Sequence, residues 1–142
     1  MMDINQIFND TVNKMTKYFS TKQAKKTNQN LQWLEQKLKS QISSALKISQ
    51  HFKERVVQRF SEDEKEKLAS AISRSIRNTK PLEVRGMHLA KAQKFIDEAT
   101  NFVIVLERMG EFGATLITSF VLGKENLLSD EEIYELKMKG IL

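Results

Sequence analysis

His51 and His88 are the only imidazoles in the chain. Neither falls in an HExxH or ExxH motif, nor at a spacing that would set two ligand donors on one helix face, so no metal site is expected. Carboxylates gather in three places: Glu62, Asp63, Glu64 and Glu66; Asp97 and Glu98; and Glu131, Glu132 and Glu135. Two of these groups lie where helices should begin, and there acidic side chains complement the macrodipole without any need for acid-base work. There is no cysteine, which removes disulfides, thiolate metal sites and a cysteine nucleophile. GxSxG, P-loop and GxGxxG motifs are absent as well. The expectation is a protein that is not an enzyme and carries no cofactor.

One motif has the right spacing for nucleic acid. Gly110, Glu111, Phe112 and Gly113 form a GxxG, the spacing with which KH modules clamp a phosphate backbone. Glu111 would repel phosphate there, and the motif reads as a helix-breaking corner. The more informative pattern is a stripe of polar and basic residues at steps of three and four: Trp33, Lys37, Ser40, Ser44, Lys47, His51, Arg55 and Gln58, with Arg59 at its edge. On one long helix these nine residues would form a candidate binding face. Its cations could follow phosphates, its serines and glutamine could donate between them, and Trp33 could stack on a base or anchor a protein partner. The competing reading is a solvated face. Arg74, Arg77, Lys80 and Arg85 make a second basic cluster that helix C-terminal charge complementarity explains.

Hydrophobic periodicity supplies the elements that must hold this stripe. Ile4, Phe8, Val12, Met15 and Phe19 predict a helix from about Asp3 to Phe19, followed by a basic connector over 20–30. Leu31, Leu34, Leu38, Ile42, Ala45, Leu46, Phe52, Val56 and Phe60 fall in one helical arc, which predicts a single helix of about 30 residues opposite the stripe. Ser61 with Glu64 has the form of a capping box for a third helix, which Asn78 to Pro81 ends. A fourth helix is expected from Leu82 or Met87 to Met109, with its FVIVL run most enclosed. The stretch 112–122 fits helix or strand, and helix is favoured because no partner strand is found elsewhere. Ser129 with Glu132 predicts a short last helix within 129–142.

The chain has 142 residues, 40% hydrophobic and 29% charged, with 5 glycines and 1 proline. That is one domain's length, 1–142, and too few turn residues for a many-stranded barrel. The fold class expected is all-α: an irregular antiparallel helical bundle of five or six helices around the long one. Charge is uneven, with 11 Lys+Arg against 4 Asp+Glu in residues 1–60 (+7) and 4 against 7 in residues 101–142 (−3). An acidic partner for the first half is implied. The leading expectation is therefore a small non-enzymatic regulator or adaptor that binds another protein, with a nucleic-acid-binding accessory protein as the alternative. Two further expectations follow. No integral membrane segment is foreseen, because Phe102–Gly123 carries Glu107, Arg108 and Glu111 at its centre, and with no targeting segment at the start the location is cytoplasmic. Homodimer formation through Leu31, Leu34, Leu38, Ile42 and Ala45 is plausible if nothing else covers them.

Overall fold

The computed structural model describes residues 2–124 and 130–141 and shows a mixed α/β fold, which corrects the all-α bundle expected above. Its first half is helical. Asp3 caps α1 (Ile4–Thr27) through a capping box: Gln6 N donates to Asp3 Oδ1 at 2.9 Å, and Asp3 N donates to Gln6 Oε1 at 3.1 Å. The expected connector does not interrupt this helix, because Lys22, Gln23, Ala24, Lys25 and Lys26 are good helix formers. The helix stops only at Asn28, whose left-handed φ of 55° turns the chain back.

The expected 30-residue helix is divided. It consists of α2 (Leu31–Ala45), a three-residue strand β1 (Leu46–Ile48) and α3 (Gln50–Arg59). Ser49 makes the break, since its hydroxyl accepts from Phe52 N at 3.0 Å and so caps a new helix. Next, α4 (Glu62–Arg77) begins at the foreseen Ser61–Glu64 capping box.

The region expected to form the fourth and fifth helices is strand. β2 (Leu82–Val84) and β3 (Met87–Leu89) make a hairpin around Arg85 and Gly86, both at positive φ as a tight two-residue turn requires. β4 (Gln93–Asp97), β5 (Phe102–Met109) and β6 (Gly113–Val121) form an antiparallel meander. β1 adds to β6 in parallel, so the sheet order is β1, β6, β5, β4. The GxxG is the β5–β6 turn. A side chain at Gly113 would run into the carbonyl oxygen of Met109, and Arg108 closes the turn by donating to the carbonyls of Gly113 (2.6 Å) and Glu111 (3.0 Å). The last element is α5 (Asp130–Met138); the serine foreseen as its cap, Ser129, lies outside the described residues.

Helices α1 to α4 cover one sheet face and α5 the other. On the first side Ile7, Met15, Leu38, Ile42, Phe52, Val56, Leu68 and Ile72 pack against Phe102, Ile104, Leu106 and Leu116. On the second, Val103, Val105 and Phe120 meet Leu136 and Ile141. Alternate residues of β5 thus enter two cores, and FVIVL is apolar throughout because both of its faces are buried. Of the stripe expected to pair two chains, Leu34, Leu38 and Ile42 are buried in this core or beside it, Ala45 is half-buried and Leu31 is exposed. No described helix is long and apolar enough to cross a membrane.

Candidate functional site

The break at Leu46–Ile48 divides the basic stripe into parts that do not share a face. Trp33, Lys37, Ser40 and Ser44 remain exposed on α2, with Lys37 Nζ 5.0 Å from the centre of the Trp33 ring. Lys47 is exposed on β1, and Gln58 is exposed on α3, where it accepts from Arg55 Nη1 at 2.7 Å. His51, Arg55 and Arg59, at steps of four on α3, face α5.

There they meet Glu132. Its carboxylate is 3% exposed; Oε1 accepts from Arg59 Nη2 and lies 3.3 Å from Arg55 Nε, an ion pair without a hydrogen bond, while Oε2 meets His51 Nε2 (3.0 Å) and accepts from the Thr118 hydroxyl (3.1 Å). Burial alone would raise the carboxyl's pKa, but the hydrogen bonds from Arg59 and His51 outweigh that penalty and hold it below the usual carboxylate range. Two guanidinium groups and one carboxylate leave the cluster net positive. Arg59 is nine-tenths buried, whereas His51 and Arg55 reach solvent. Such a group can hold an anion, and a histidine held by a buried carboxylate can move a proton.

The α3 helix is placed by the edge of β6. β1 pairs only with Ala114 to Leu116. Beyond that point α3 supplies donors to the strand: Ser49 Oγ to the Ile117 carbonyl at 3.0 Å and Arg59 Nη1 to the Ser119 carbonyl at 3.2 Å. Helical donors therefore cover an edge that would otherwise invite another strand. A bulge sets Thr118, for Leu106 faces Leu116 and Val105 faces Thr118, leaving Ile117 as the extra residue.

A second constellation lies on the helical layer. Lys14, Lys17, Lys22 and Lys25 recur at steps of three to five on α1, with Tyr18 and Thr21 among them, and residues 14–27 contain no Asp or Glu. The groove toward α4 is lined by Lys14, Ser70, Ser73, Arg74 and Arg77, and Arg77 lies 4.4 Å from the centre of the Tyr18 ring. The groove toward α2 is lined by Lys17, Gln36 and Lys39, together with Glu35. Arg74 is already engaged, donating to both Asp97 oxygens at 2.6 and 2.9 Å. The α1 lysines are not: among the described residues the lysine ion pairs are Lys65–Glu62 and Lys124–Glu64.

Glu132, Thr118 and the α1 lysines were not in the sequence-derived face. Glu132 is 73 residues from Arg59, and its local signal was that of a helix cap rather than of this pairing. The lysines did leave one, because the spacing of Lys14 and Lys17 continues through Lys22 and Lys25 across the supposed connector. Among the described residues no three His, Asp or Glu side chains gather as a metal site. No protein-family model, curated protein or solved structure matches the chain.

Proposed function

We propose that the protein acts without chemistry of its own, by docking on another macromolecule, and that this macromolecule is a single-stranded nucleic acid laid along α1. The lysine ridge from Lys14 to Lys25 carries the reading. It extends about 16 Å at 1.5 Å per residue, room for roughly five phosphates at their spacing along one duplex strand and more than a stretched single strand needs for three. Lysine is depleted in protein–protein interfaces, so a surface built from it suits phosphates better than an adaptor's protein partner. Trp33 opens α2 at the end of the α1–α2 pair where Lys25 and Lys26 lie, and its exposed ring offers a stacking surface. The reading locates the protein in the cytoplasm, beside such a ligand.

Fluorescence anisotropy with a labelled single-stranded RNA across a salt series tests it. Four lysine contacts predict that log affinity falls with log salt at a slope near −3. Changing Lys14, Lys17, Lys22 and Lys25 together to glutamine should flatten the slope toward zero and leave the melting temperature nearly unchanged, since all four are exposed. Trp33→Ala should weaken binding by about 1–3 kcal/mol. Absence of binding at ~50 mM salt would overturn the proposal in favour of a protein partner. Cleavage of the RNA in the same samples would overturn its non-enzymatic part and direct attention to His51 and Glu132.

A further inference from the structure

The cluster around Glu132 has an uneven construction. Among the described residues, the groups that pair with the carboxylate belong to α3 or β6, which are packed together on the main core. The carboxylate alone comes from α5, a nine-residue helix. A helix this short is marginal by itself, so its position depends on docking. Among the described residues its apolar docking uses Ile133, Leu136 and, just beyond the helix, Ile141, with Lys94 Nζ donating to the Ile141 carbonyl at 2.9 Å. Tyr134 and Met138 point outward, 65% and 70% exposed.

Without Glu132, two guanidinium groups, one imidazole and the Thr118 hydroxyl would converge on the space it fills, and among the described residues no other carboxylate pairs with them. Their number and arrangement exceed what one carboxylate needs. Two arginines can hold several oxygens of a tetrahedral anion, and the Thr118 hydroxyl and a protonated His51 can reach the others. A phosphate group also carries more negative charge than a carboxylate, and so balances the pair of arginines better. His51 and Arg55 are the members an arriving anion meets first, because they form the wall that reaches solvent.

We propose that His51, Arg55, Arg59 and Thr118 form a binding pocket for a phosphate group, and that Glu132 occupies it as a built-in competitor carried on a displaceable α5. The pocket is separate from the α1 ridge and does not depend on it. The phosphate can be free or can be the terminal phosphate of a nucleic acid.

Titration with inorganic phosphate, followed by calorimetry and by the NMR signals of the His51 ring and the Thr118 methyl, tests the pocket. Wild-type protein should bind weakly. Glu132→Gln should bind at least tenfold more tightly, and adding Arg59→Met to it should abolish the gain. Leu136→Ala, which leaves the pocket's own groups intact and loosens α5, should also strengthen binding. If Glu132→Gln is unfolded in phosphate-free buffer, phosphate should restore its cooperative melt. Equal affinity in wild type, Glu132→Gln and Leu136→Ala, or failure of phosphate to restore an unfolded variant, would overturn the proposal. A 5′-phosphorylated oligonucleotide compared with its 5′-hydroxyl counterpart then assigns the source: preference for the former identifies a nucleic-acid end, and no preference identifies free phosphate. The variant with four α1 lysines changed to glutamine should keep the inorganic-phosphate response, so loss of the ridge's function leaves this result standing.

Discussion

Asp97 ends β4 and ties the sheet to the helical layer. Its carboxylate takes Arg74 at both oxygens and the Thr100 hydroxyl at 2.5 Å, while its carbonyl accepts from Thr100 N and Asn101 N in the turn that follows. The hydrogen bonds from Arg74, above all, keep the Asp97 carboxyl below its ordinary pKa of 3.8. A depressed carboxylate pKa gives stability that is fully present above the unfolded value and is lost as pH falls through the folded one. Asp97→Asn should therefore cost about 2 kcal/mol at neutral pH, a charge-assisted hydrogen bond's worth, moderated because Arg74 is partly exposed. The gap between wild type and variant should narrow below about pH 4, as the wild type loses the same contribution. Urea midpoints at pH 7 and pH 3 check this, and a gap that stays constant would contradict it. The candidate site was half legible at this scale. His51, Arg55 and Arg59 declared themselves by spacing, whereas Glu132 looked like part of an N-terminal cap and Thr118 like part of an apolar run.

The division of the long helix is the element on which the sheet depends, because β1 and α3 both take their places along β6 from it. Ser49 serves twice there, accepting from Phe52 N and donating to the Ile117 carbonyl. Ser49→Ala should lower stability by about 1–2 kcal/mol, seen as a lower denaturant midpoint at unchanged m-value, and Ser49→Thr should recover most of the loss. Two signs of the break were present in the sequence: Ile48 falls outside the apolar arc, and Ser49 is an N-cap residue type. They were outweighed by an arc that resumes at Phe52 in the same phase. The error in the second half had a different origin. Strands buried on both faces lack the alternation that marks a half-exposed strand, so residues 102–106 passed for an enclosed helix. Reading them as helix then removed the partner that 113–121 needed, and one misassignment supported the other. The β-branched content of Val103, Ile104 and Val105 was the signal that pointed to strand. Local chemistry was read more securely: the Ser61–Glu64 capping box and the stop before Pro81 are both in place.

Across the whole molecule, cohesion is uneven. β5 lies between two strands and between two cores, while α5 rests on one small apolar cluster and on the bonds of Glu132. Amides of β5 should therefore exchange with solvent only on global unfolding, and those of α5 by local opening at least a hundredfold faster and insensitive to low denaturant. Hydrogen exchange read by mass spectrometry or NMR checks this; equal protection of the two elements would contradict it, and would also tell against a displaceable α5. Charge is uneven too, with the lysine ridge on the helical layer and several carboxylates in α5 beyond the other sheet face. The parallel pairing of Leu46–Ile48 with Ala114–Leu116 bears on how the chain is made as well as on how it stands. Ribosomes add about 5–20 residues each second, so some 2–9 s separate the synthesis of Arg77 from that of Val121. Throughout that interval α1 to α4 exist without the sheet their apolar sides require, and β1 waits as a lone strand for a neighbour not yet translated. A nascent chain of this design carries uncovered apolar surface for seconds, and any pause in translation after Arg77 lengthens that exposure.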